Sequence, residues 1–213
     1  MQKLEINAIL VDAVLEEMVE ESALRGEDIL HCRFYGEEMP DVAARMIEFS
    51  GCVFEKCIFG ETQIERLVFN DCVFIKCDLS RCQLKKATLQ RVHFQDCRLI
   101  GAGFEESTLM SVFFERCQMD YCNFTGAKAT KITMDNCSMR ENAFIRFKWK
   151  EWQLEKCDVC RWEVADTSLK GLDMTGCTLS GWMTDLFALR GLKVTKEQAV
   201  IFAGLLGLDI IDL

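Results

Sequence analysis

From residue 47 to residue 181 an apolar side chain recurs every fifth position without a break. The series runs Phe49, Phe54, Phe59, Ile64, Phe69, Phe74, Leu79, Leu84, Leu89, Phe94, and on to Leu169, Met174 and Leu179. Twenty-seven successive pentads carry no polar residue at this centre. Neither common secondary structure accommodates that spacing. Five residues advance an α-helix by about 500°, which spreads the apolar positions around the cylinder. In a flat strand an odd period sends successive side chains to opposite faces. A chain that turns one corner per pentad keeps every centre pointed at the same axis, and stacked coils then pair their backbones at about 4.8 Å.

The cysteines give the number of pentads per coil. Twelve of the thirteen stand two residues before a centre, Cys160 being the exception. Cys57, Cys77, Cys97, Cys117, Cys137, Cys157 and Cys177 form an unbroken series in steps of twenty. Four pentads therefore make one turn, and the coil has four sides. The same step stacks Phe54, Phe74, Phe94 and Phe114 on one face, and Phe104, Phe124 and Phe144 on another.

These residues resemble the pentapeptide-repeat proteins, whose loose consensus is a small residue, a polar one, Leu or Phe, and two variable positions. The resemblance implies an all-β fold: a right-handed quadrilateral β-helix of about seven coils over this stretch, roughly 33 Å long. Cys replaces the usual Ala here. Phe147, Trp152, Trp162 and Trp182 fill small positions with large rings, so the last coils are expected to be wider or locally distorted.

The ends need caps, since a terminal coil would otherwise expose its core and its unpaired edge. Residues 1–21 are read as an N-terminal cap, in part helical, with Leu10, Val14, Leu15, Met18 and Val19 at helical spacing. The β-helix is placed at 22–191, with Leu24, Ile29 and Phe34 in pentad phase. The stretch 36–47 around Pro40 is either irregular or a short helix. Residues 192–213 are read as a C-terminal helix and tail, with Thr195 as N-cap and Gln198 three residues on. Val200, Ile201, Leu205, Leu208, Ile210, Ile211 and Leu213 form a candidate dimer interface, and the resemblance also implies a homodimer there.

Composition bounds function. The net charge is −9, but residues 1–46 hold 11 acids and 4 bases, leaving the repeat body nearly neutral. No basic, apolar leader and no 18-residue apolar run is present, and thirteen cysteines without a leader point to a reducing cytoplasm. Cys157-Asp158-Val159-Cys160 is the single C-x-x-C, and the coil points one thiol in and the other out, so no metal or other cofactor is expected. His93 is expected on the solvent side of a wall. With two histidines, no glycine-rich phosphate loop and no nucleophile elbow, the chain is read as non-enzymatic.

Glu55, Glu115, Asp135 and Glu155 stack just after the centre on one face, a candidate partner-facing charged surface or else a solvated wall. Lys128, Lys131, Lys148, Lys150 and Lys170 gather on another face. Direct nucleic-acid binding is not expected there, since no exposed stacking aromatic accompanies them and the net charge is negative. The ending RGLKVTKEQAVIFAGLLGLDI and the overall size are similar to the quinolone-resistance (Qnr-type) group of the family. That resemblance implies a protein that binds and protects DNA gyrase or topoisomerase IV. The alternative is a cytoplasmic interaction scaffold for another protein.

Overall fold

A computed structural model describes residues 6, 9–61, 64–206 and 211. The described residues form a β-solenoid of about nine turns with two α-helices. Every strand pairs in parallel, and all but the first pair residues twenty positions apart; Val11–Asp12 pairs with Cys32 and Arg33 at a step of twenty-one. The chain of partners Phe34, Phe54, Phe74, Phe94, Phe114, Met134 and Leu154 runs along one wall without a slip. Four eight-residue strands, 88–95, 108–115, 128–135 and 148–155, cross from one wall to the next, and shorter strands and single bridges build the other sides. The turn count exceeds seven because the flanks stack in the same step: Ile29 pairs with Phe49, Glu38 with Ile58, and Asp173 with Lys193. The stretch 36–47 is not helical. It bridges at Glu38 and Ala44.

The corner is the element that makes a square coil possible. One position in five turns the chain, and twenty non-glycine residues there, from His31 to Asp166, hold φ between 50° and 63°. Such backbone costs about 1–2 kcal/mol for a residue with a Cβ. The corner N–H recovers part of that cost in the ladder: the Lys86 N–H donates to the Glu105 carbonyl at 2.8 Å, and the Lys76 N–H to that of Gln95 at 2.9 Å.

Inside, the aromatic centres stack as the step of twenty requires. Ring centroids from Phe54 to Phe74, Phe94 and Phe114 are 4.7, 4.6 and 4.9 Å apart. Phe104, Phe124 and Phe144 follow at 4.7 and 5.0 Å. The inward position before each centre does more than fill space. The Cys77 thiol donates to the Phe54 carbonyl at 3.3 Å, Cys97 to Phe74 at 3.4 Å, and Cys157 to Met134 at 3.3 Å. Thr167 Oγ1 donates to Phe144 at 2.7 Å, and the Trp162 and Trp182 indole N–H groups reach Met139 and Val159, both at 2.6 Å. Trp162 and Trp182 therefore replace a thiol donor with an indole donor 23 residues from its acceptor, whereas Trp152 Nε1 is buried without a partner and Phe147 has no donor. The register beside the rings holds, with Ile132 opposite Trp152 and Phe144 opposite Val164.

Each end is closed differently. Helix α1, Leu15–Arg25, turns Leu15, Val19 and Ser22 inward and stops at Gly26 in the left-handed region. The cap thus extends past residue 21, and Leu24, in phase with the pentad, is 87% exposed because the helical period governs there. Helix α2, Lys196–Ala203, starts from Thr195 with a capping box. Gln198 completes that box and also donates to the Met174 and Cys177 carbonyls of the last coil at 2.9 and 2.8 Å.

Two stability measurements test the cap and the corner. Gln198→Ala should cost about 2–3 kcal/mol, since it removes the box and strands two buried carbonyls; faster amide exchange across 193–203 would localise the loss. Lys86→Val should lower the denaturation free energy by about 1–2 kcal/mol, because a β-branched residue is a poor fit to its φ of 58°. Lys85→Val, one residue earlier, should stay within about 0.5 kcal/mol.

Candidate partner-binding walls

The carboxylate wall is built by register. Glu55, Ile75, Gln95, Glu115, Asp135 and Glu155 are successive ladder partners. Asp135 and Glu55 are half-buried, and Glu155 is exposed. Glu115 is not a free surface charge: it is 5% exposed, pairs with Arg116 and lies with Oε2 3.2 Å from His93 Nε2. Arg116 also grips Asp96 of the coil below at 2.7 Å, and that hydrogen bond holds the Asp96 carboxyl below its usual range.

His93 itself is 3% exposed and not on the solvent side as expected. Its ring stacks on Phe113 with centroids 4.9 Å apart. The column it belongs to reads Val73, His93, Phe113 and Thr133, and each member is less than a tenth exposed. The apolar residues twenty positions to either side are the sequence signal for this burial.

The cysteines behave as packing. All thirteen are free thiols, and burial pushes Cys82 up to about 12 and Cys72, Cys117 and Cys122 upward as well. Cys157 is buried and donates to a carbonyl, whereas Cys160 is half-buried and accepts from Ser180 Oγ at 3.2 Å. The pair points in two directions, and no group of three or more His, Cys, Asp or Glu among the described residues could hold a metal ion.

At the C-terminal end Val200, Ile201, Leu205 and Ile211 are 49%, 39%, 40% and 79% exposed. Leu208, Ile210 and Leu213 lie outside the described residues. Phe202 turns the other way, onto Trp182 at 5.4 Å. Met183, Leu186 and Phe187 of the last coil add exposed apolar surface that the pentad count does not single out.

Two open clefts carry basic residues. One of about 580 Å³ is lined by Arg45, Met46, Glu65, Arg66, Lys85 and Lys86. Another of about 560 Å³ includes Lys148, Trp149, Lys150, Lys170 and Phe187. Lys128 and Lys148 are direct ladder partners, and Lys148, Lys150 and Lys170 share one cleft, whereas Lys131 stands at a corner. No helix among the described residues is long and apolar enough to cross a membrane.

Residues 47–124 match the family model for the pentapeptide repeat region. No curated protein matches the chain. Among solved structures, a trypsin-treated QnrB1, described as a plasmid-mediated fluoroquinolone resistance protein, is 18% identical, with 86% of this chain and 99% of that one covered at a TM-score of 0.37. HetL from Nostoc, a pentapeptide repeat protein involved in heterocyst differentiation regulation, is 10% identical over 85% and 94%, with a TM-score of 0.40. Rfr23 from Cyanothece, another pentapeptide repeat protein, is 12% identical over 85% and 100%, with a TM-score of 0.28. Nothing of those proteins' roles transfers at such values. Residues 47–124 are thus a pentapeptide repeat region, and the same pentad continues beyond it to residue 179.

Proposed function

We propose that this protein is a non-enzymatic binding protein acting through its outer walls, and that its partner is DNA gyrase or topoisomerase IV, which it protects from fluoroquinolones. The observation that carries the reading is the in-register pair Asp135 and Glu155. Two accessible carboxylates one ladder step apart on a stiff wall, with Glu55 further along the same column, present negative charge at multiples of one spacing, and a surface built to receive a nucleic-acid backbone responds to that. The ending similar to the Qnr-type group supports the same partner. Thirteen unbridged cysteines suit a cytoplasmic setting. The exposed apolar side chains of α2 and the residues after it suit a homodimer closed through that end.

A second reading, a scaffold for a different cytoplasmic protein, is favoured by the mixed character of the same wall. Ile75 and Gln95 interrupt the carboxylate column, and Lys56, Lys76, Arg116 and Lys156 occupy the corner beside it.

In a gyrase supercoiling assay the protein should restore activity in the presence of a fluoroquinolone, and Asp135→Lys with Glu155→Lys should abolish the rescue. Absence of rescue at a stoichiometric excess overturns the topoisomerase reading. Affinity capture of one other partner decides for the scaffold. Val200→Asp with Ile201→Asp should halve the mass measured by light scattering if α2 closes a dimer.

A further inference from the structure

The lysine wall has no part in topoisomerase binding through the carboxylates, and its own chemistry is independent of that role. Lys128 and Lys148 are exposed and directly opposed in the ladder, an arrangement that destabilises a sheet unless an anion lies over it. Lys148 and Lys170 have no carboxylate within ion-pairing distance among the described residues, and Lys150 approaches only Glu151, at 4.0 Å. The wall therefore holds excess positive charge that the protein does not neutralise.

In the sequence Trp149 stands between Lys148 and Lys150, but at a pentad centre, which the repeat turns inward. The fold leaves that ring in the cleft and brings a second one to it. Trp149 occupies a centre position, opposite Ala129, yet is only half-buried. Its indole N–H donates to the Ser168 carbonyl at 2.7 Å, which fixes the ring in the cleft. Phe187, from the last coil, lines the same cleft and is 60% exposed. Lysines alone would suit any polyanion. An exposed ring held among them narrows the ligand to one that carries flat apolar faces as well as phosphates.

Overall charge does not oppose this. The strand at Ile29–Leu30, beside the acidic N-terminal region, is six ladder steps from Lys148–Glu155, about 29 Å at 4.8 Å per step. That exceeds three times the screening length of about 8 Å at physiological salt. Glu151 and Asp166 border the cleft from corner positions, which leaves the lysines on the flat of the wall.

We propose that this cleft binds single-stranded nucleic acid, with phosphates over Lys148, Lys150 and Lys170 and a base stacked on Phe187 beside Trp149. The test is fluorescence anisotropy of a labelled ten-nucleotide oligothymidylate with the full chain across a salt series. Three phosphate contacts predict a log–log salt slope near −2, at about −0.7 per contact. Lys148→Ala should weaken binding and flatten the slope by about 0.7. Phe187→Ala should weaken it by about 5-fold or more with the slope unchanged, while binding of inorganic polyphosphate stays as it was. Lys85→Ala, in the other basic cleft, should change neither. Circular dichroism of each variant confirms the solenoid. No binding at low salt, equal binding of a duplex of the same length, or indifference to Phe187 overturns the proposal. Displacement by thymidine monophosphate as effective as by the oligonucleotide overturns a strand in favour of a free nucleotide.

Discussion

The structure rests on a strained corner. A chain of L-residues does not turn through a right angle every five positions unless one of them enters the left-handed region, and twenty non-glycine residues do so here. No single corner is self-supporting. Each is held because its N–H and the neighbouring strand hydrogen-bond to the next coil, as the Arg116 N–H does to the Asp135 carbonyl at 2.9 Å. Neighbouring coils therefore stabilise one another more than any coil stabilises itself. A long unbroken register is the condition for the fold and not an ornament on it.

The inward position two residues before each centre shows how the core meets the hydrogen-bonding needs of that backbone. Cys, Thr and Trp look unrelated as packing units. All three deliver a proton to a carbonyl 23 residues earlier: Cys137 to Phe114, Thr167 to Phe144, Trp182 to Val159. A buried carbonyl without a partner costs about 1–3 kcal/mol, so a weak thiol donor has value where alanine would offer none. The ladder of cysteines is thus a column of donors.

Much of this is legible in the sequence, because period and side-chain size are one-dimensional properties. The centres, the four sides and the step of twenty all follow from Phe49 to Leu179 and from the cysteine series. Sequence reasoning fails where a second periodicity or a neighbouring coil intervenes. Leu24 keeps the pentad phase but belongs to a helix, which turns it outward. Alternation assigns His93 outward, and Phe113 twenty residues on covers it. Glu115 reads as a surface charge, although His93 and Arg116 enclose it. Phe187 escapes notice because it lies two pentads beyond the last regular centre, and only the closing coil carries it back beside Lys148.

The step of twenty has a further consequence. Since each coil recognises its neighbours only at that separation, the rod can grow or shrink cleanly only by whole coils. Each such change adds or removes about 4.8 Å of height and returns every wall to its original orientation. A five-residue insertion would keep the core centres inward yet rotate all later walls by a quarter turn relative to the earlier ones. Length along the axis and the compass direction of each wall are therefore separable quantities in this architecture, set by counting residues. The distance between the two ends, and the side on which each presents its residues, can be altered independently without redesigning a single contact inside a coil.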